Sequence, residues 1–164
     1  MKRLIPLAAL FAATIGLSQT HAQEAVVGVA DAESLFTSPD PKLNTNKQAA
    51  YHIEKDLLEA GQWGNAGKWL TDRYIQHNPN AKSGLAGVVY FFTQVLKVQP
   101  KPVPEKTTLK IVSVVAEGDY VVVVTPREIK DAKDPSKNYT TTWFDMWRFV
   151  DGKADEHWDG ATKN

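Results

Sequence analysis

Hydrophobic positions along the chain fall into two regimes. Between residues 45 and 96 they recur at three- and four-residue intervals, which is the spacing of one helix face. After residue 106 they alternate or cluster in short runs rich in Val, Ile and Thr, the pattern of strands. The first regime predicts a helix capped by Thr45 or Asn46 that ends near Ala60, with Ala50, Ile53, Leu57 and Ala60 on one face and Gly61 as terminator. A short helix over about 62–72 follows, presenting Trp63, Ala66, Trp69 and Leu70 and weakened by Gly64 and Gly67. Tyr74 to His77 reads as extended and stops at Asn78-Pro79, because the residue before a proline is pushed out of the helical region. A third helix starts near Ser83, with Leu85, Val88, Val89, Phe92, Val95 and Leu96 as its apolar face.

The proline-stiffened run QPKPVPEK then carries the chain across to the second regime. Strands are expected at 107–116 and 120–129, joined at Glu117-Gly118-Asp119, and again at 139–150 and 153–161. Asp151-Gly152 between the last two is a strong hairpin signal. Helices followed by a run of antiparallel strands predict an α+β domain, with three N-terminal helices packed on one face of a sheet.

Composition and charge change this picture mainly at the N-terminus. Lys2 and Arg3 precede the apolar run Leu4 to Leu17 and small residues at Thr20 and Ala22, the layout of a secretory signal peptide cleaved after Ala22. The expected organisation is therefore a signal peptide at 1–22, a flexible arm at 23–44 and one domain at 45–164. With no cysteine there is no disulfide framework and no lipid anchor, so an exported domain has to rest on its own core. Nineteen basic and nineteen acidic residues without long runs leave no nucleic-acid footprint. No second apolar run is long enough to span a bilayer, so the mature chain is expected in the periplasm or outside the cell.

The candidate chemistry lies in the closing hairpin, TTWFDMWRFVDGKADEHWDG. If Asp151-Gly152 form a two-residue loop, strict alternation puts Trp143, Asp145, Trp147, Phe149, Ala154, Glu156 and Trp158 on one face. The other face then carries Phe144, Met146, Arg148, Asp155, His157 and Asp159, and a bulge would reverse one strand relative to the other. A carboxylate among indoles loses hydration, so Asp145 reads as a candidate acid/base, although an acceptor for an indole or backbone N–H fits the same spacing. Glu156 reads as a diagonal neighbour of Asp145 or a solvated acid, and Arg148 with Asp155 as a cross-strand ion pair.

Among the histidines, His52 is expected to be solvated, His157 to face away from Asp145, and His77 to point into a cavity mouth or to cap a turn. No residues stand at a recognised metal-ligand spacing, and neither a phosphate loop, a dinucleotide fingerprint nor a nucleophile elbow is present. Neither a metal nor an organic cofactor is expected.

Taken together, YIQHNP, the helix after it, VVAEGDYVVV and FDMWRFVDGKADEHWDG resemble the SnoaL-like polyketide-cyclase family of the NTF2-like superfamily, over roughly residues 45–161. The resemblance implies a cone in which a curved antiparallel sheet and three helices enclose an apolar pocket. It further implies that Asp145 occupies the position of the cyclases' acid/base for a cofactor-free aldol condensation, with His77 lining the pocket. Tyr74, Phe92, Trp143, Trp147, Glu156 and Trp158 are the expected ligand-binding residues. Tryptophans at 143 and 147, where the family commonly has smaller apolar residues, imply a narrower pocket than a tricyclic polyketide needs.

The expected function is binding of a small apolar carbonyl compound, with proton transfer by Asp145, or else binding without turnover. Sugar hydrolysis by Asp145 and Glu156 is a weaker third reading. A homodimer is expected through the outer sheet face around Phe144 and Met146.

Overall fold

The computed structural model describes residues 23–163, so the segment read as a signal peptide lies outside the described residues. Helix α1 spans Pro41–His52 and continues in π-helical geometry over Ile53–Glu59. It begins before the expected Thr45, because Asp40-Pro41 opens it: the Asp40 side chain accepts the Leu43 N–H at 2.9 Å and the proline occupies the first turn. There its missing N–H costs nothing. Such a cap contributes about 1 kcal/mol.

The stretch read as a flexible arm also joins the body of the fold. Val29 N–H donates to the Ile111 carbonyl, a short 3-10 turn covers Glu33–Phe36, and Phe36 is fully buried in the core.

The expected second helix is a 3-10 turn, Trp63–Lys68, after which the chain turns directly into strand β1, Leu70–Gln76. Helix α2, Leu85–Tyr90, continues in π-helical form over Phe91–Val95. Its expected apolar face is buried at Val88 but opens to solvent at Val95 and Leu96. Strand β2 is shorter than predicted, Ser113–Glu117, while β3 (Tyr120–Ile129) and β4 (Tyr139–Val150) match the expected spans. Strand β5 is Lys153–Trp158. Asp151 and Gly152 both have positive φ, 49° and 74°, the backbone that a tight hairpin turn demands.

The sheet order is β1-β5-β4-β3-β2, with β1 parallel to β5 and all other pairs antiparallel. The helices cover one face, giving the expected α+β class. Their core cluster includes Phe36, Leu57, Leu70, Val88, Val121, Val123, Trp147 and Phe149. No helix among the described residues is long and apolar enough to cross a membrane.

Pairing of β4 with β5 departs from strict alternation. Val150 faces Lys153 and Phe149 faces Ala154, but Arg148 faces Glu156 and Trp147 faces His157. Asp155 is the extra residue of a β-bulge. An inserted residue reverses every side chain beyond it on that strand. His157 therefore joins the covered face with Trp147, and Glu156 and Trp158 turn to the open face, the reverse of what alternation predicts.

Candidate functional site

The bulge is held in place by the chemistry of Asp155 itself. Its carboxylate, buried to 5% exposure, accepts from the Thr71 hydroxyl at 2.7 Å and Arg73 Nε at 3.2 Å, and pairs with the guanidinium ends of Arg73 and Arg148. Arg73 chiefly, then Thr71 and Arg148, hold this carboxyl well below the usual carboxylate range against the opposing effect of burial. The expected Arg148–Asp155 ion pair is thus present as one arm of a larger clamp that ties β4 and β5 to β1. Arg148 Nε also donates to Glu156 Oε2 at 3.1 Å on the open face.

On the covered face a cavity of about 710 Å³ opens between sheet and helices. That lies within the range of small-molecule sites, roughly 300–1,000 Å³, so the tryptophans leave ample room. Both π-helical stretches face it, with Ile53, Glu54 and Leu58 from the first and Phe91 and Phe92 from the second. Single π turns shift the face a helix presents and recur at functional sites. The sheet supplies Tyr74 and Gln76 from β1, Trp143, Asp145 and Trp147 from β4, and His157 from β5. The Trp63 ring stacks on Phe92 with centroids 3.7 Å apart and backs that wall.

Asp145 is 9% exposed, and its Oδ1 lies 2.9 Å from His157 Nε2. The other ring nitrogen, Nδ1, lies 2.8 Å from Gln76 Oε1. Gln76 Oε1 also accepts the Asn78 backbone N–H at 3.0 Å, which fixes the amide with oxygen toward the ring. His157 Nδ1 therefore carries a hydrogen. The Nε2–Oδ1 contact then shares one proton, carried either by the imidazolium against a carboxylate or by the carboxyl against a neutral ring.

Tyr74, buried beside this pair, accepts from Trp147 Nε1 at 3.2 Å; burial raises its phenol well above its usual range. Trp147's N–H is thus engaged within the wall and is not free for a ligand.

The predicted site residues divide between the two faces. Tyr74, Phe92, Trp143, Asp145 and Trp147 come together around the cavity. His77, Glu156 and Trp158 do not: His77 is half-exposed, 2.9 Å from Glu156 Oε1, and stacks on Trp158 with centroids 5.0 Å apart. The bulge is the physical reason for the last two, and it also separates Asp145 and Glu156 onto opposite faces, which removes the basis of the sugar-hydrolysis reading. His77, at the end of β1, follows Glu156 to the open side. His52 is not freely solvated: it stacks on Trp69 at 4.1 Å and contacts Asp56 at 3.1 Å.

Sequence reasoning missed Gln76, His157 as a cavity residue, and Glu54. Glu54 had a local signal. It stands four residues after Ala50 and three before Leu57, on the same helical face. It is 3% exposed and makes no hydrogen bond to any described residue; its Oε1 is a buried atom without a partner. Burial, then the charges of Asp145 and Glu59, push its carboxyl up to about 8.

Asp145, His157 and Asp159 bring one ligand atom each to within 4.8 Å of one another, the single such grouping among the described residues. His157 already engages both ring nitrogens with Gln76 and Asp145, so an ion there would have to displace one of them.

Residues 50–157 match the family described as the SnoaL-like domain. No curated protein sequence gives a significant match. Among solved structures, a candidate polyketide cyclase from Acidithiobacillus ferrooxidans superposes with a TM-score of 0.52 at 16% identity, covering 75% of this chain and 89% of that one. A candidate SnoaL-like polyketide cyclase from a Jannaschia species gives 0.51 at 18%, covering 76% and 91%. An NTF2-like protein of unknown function from Burkholderia pseudomallei gives 0.51 at 16%, covering 72% and 91%. Likeness at these identities shows the shared fold.

Proposed function

We propose, for a chain that belongs to the SnoaL-like domain family, that its cavity binds a small, largely apolar carbonyl compound and that Asp145 moves a proton on the carbon next to the carbonyl. One observation carries the reading: a buried carboxylate and imidazole lie within hydrogen-bond distance, 2.9 Å, inside a mostly apolar cavity, with the imidazole oriented by Gln76. With the proton on His157, the Asp145 carboxylate is the base. It takes the proton from carbon, and the C–H electron pair moves into the carbonyl to give an enolate. Returning that proton to carbon, or adding the enolate carbon to a second carbonyl, completes an isomerisation or an aldol step. His157 Nε2, 2.9 Å from Asp145 Oδ1, is placed to hydrogen-bond the carboxylate and hold it in position. The role assigned to His77 from the family resemblance passes in this reading to His157.

The test is deuterium exchange into α-tetralone, an apolar enolisable ketone, followed by NMR. Wild type should accelerate exchange beside the carbonyl, and Asp145→Asn should abolish the acceleration while retaining ketone binding. Equal exchange in the two proteins ends the reading. The apolar lining also supports binding without turnover; in that case tryptophan fluorescence reports ketone binding by wild type, and no exchange accompanies it.

The reading extends to an exported protein that acts as a homodimer, supported by the Lys2-Arg3-led apolar run and by the aromatic residues of the open sheet face.

A further inference from the structure

We propose that Glu54 is a second functional group of this cavity, whose carboxyl group donates a hydrogen bond to the ligand's carbonyl oxygen. The inference deepens the reading of Asp145 above and rests on it for the nature of the ligand. Four observations converge on this residue.

Glu54 lines the same cavity as Asp145, but from the helical wall opposite the sheet. It is 3% exposed, and no described residue satisfies its side chain, with Oε1 orphaned outright. A buried polar group without a partner is destabilising, so its presence needs a reason beyond folding. The backbone at this point leaves regular α geometry for a π-helical stretch, and the residues of that stretch form the wall. Finally, burial and the nearby Asp145 charge raise its carboxyl to about 8, so at neutral pH it is mostly protonated and carries an O–H donor.

A ligand lying between the two walls meets a base on one side and a donor on the other. As Asp145 withdraws the proton from carbon, negative charge collects on the carbonyl oxygen, where the Glu54 O–H stabilises it and Glu54 keeps its proton. No other charge moves. A fixed donor aimed at the oxygen that gains charge acts most strongly in the transition state. The ligand class is narrowed accordingly to compounds whose oxygen accepts a hydrogen bond while the adjacent carbon gives up a proton, with an apolar frame for Phe91, Phe92 and Trp143.

The experiment uses α-tetralone labelled at its carbonyl carbon, bound to the whole protein and read by infrared difference spectroscopy. In wild type the carbonyl band should move to lower frequency than in apolar solvent. Glu54→Leu should lose that shift and slow exchange by roughly 100-fold, the effect of removing one such donor. Glu54→Gln, which keeps a donor at nearly the same place, should retain most of the shift. Both variants should unfold at no lower denaturant than wild type at neutral pH, so loss of fold does not explain the result.

A band position identical in wild type and Glu54→Leu overturns the inference and leaves Asp145 standing. So does an ionised Glu54 carboxylate signature in the free protein at neutral pH. Equal exchange in wild type and Asp145→Asn, with the band shift still lost in Glu54→Leu, instead fails the reading of Asp145 and retains Glu54 as a binding group. Failure of wild type to bind the ketone overturns both.

Discussion

Asp145 on β4 and His157 on β5 stand 2.9 Å apart on one face of the sheet, although simple alternation from the Asp151-Gly152 turn assigns them opposite faces. The inserted Asp155 makes the difference. The bulge also gives the carboxylate a partner that can carry its proton.

The imidazole is expected to matter through this contact. In His157→Gln the amide can still bond Asp145 but cannot carry a positive charge beside it. Exchange of α-tetralone should fall about 100-fold or more, with ketone affinity changed by only a few-fold and the pH profile of exchange altered. An unaltered profile would show that the ring does no more than fill space.

Asp155 is expected to support the register of β5. Its folded carboxyl is held below its ordinary value of 3.8, first by Arg73 and then by Thr71 and Arg148. Its contribution is therefore present above that value and is lost as pH falls through the folded one. Asp155→Asn should cost about 1–3 kcal/mol at neutral pH, the lower end reflecting the partial exposure of Arg73. The difference between the proteins should shrink on acidification. Urea unfolding at neutral and acidic pH checks both points.

Glu54 has the opposite sign. Its folded carboxyl is raised from 4.5 to about 8, so its neutral form is fully accommodated below pH 4.5 and stability is lost as pH rises from there toward 8. Each pH unit inside that window removes about 1.4 kcal/mol at most. Glu54→Gln should flatten this slope and be the more stable protein at pH 8. Melting curves across the window that run parallel for the two proteins would contradict the assignment.

The open sheet face leaves Phe144 and Tyr120 exposed at 51% and 43%, Phe144 beside Met146 and Trp158 and Tyr120 with its ring 6.2 Å from that of Trp158. A second copy pairing there would cover them. Light scattering should report a dimer at micromolar concentration and a monomer for Phe144→Glu; a monomeric wild type refutes the pairing.

The sequence went far in the sheet. The spans of β3 and β4, the turn at Asp151-Gly152 and the grouping of Trp143, Asp145 and Trp147 follow from alternation and turn chemistry, both of which act between near neighbours. The helical half was less legible. Gly64 and Gly67 weakened the second helix enough for a 3-10 turn and an early strand to replace it, and Asp40-Pro41, inside the stretch read as a flexible arm, proved to be a helix start. A proline ends a helix from within and begins one at its first turn, so the residues alone do not say which.

The sequence by itself determined the two-layer class, the closing hairpin and the grouping of Asp145 with Trp143 and Trp147 on one face of β4, because these depend on periodicity and on residues adjacent in the chain. Only the tertiary structure decided which side chains of β5 meet that carboxylate. The bulge is anchored by Thr71 and Arg73, whose contacts with Asp155 cross 84 and 82 positions, and Gln76 orients His157 across 81. Bonds of that span leave no periodic trace, and one residue of slip changes the face of everything beyond it.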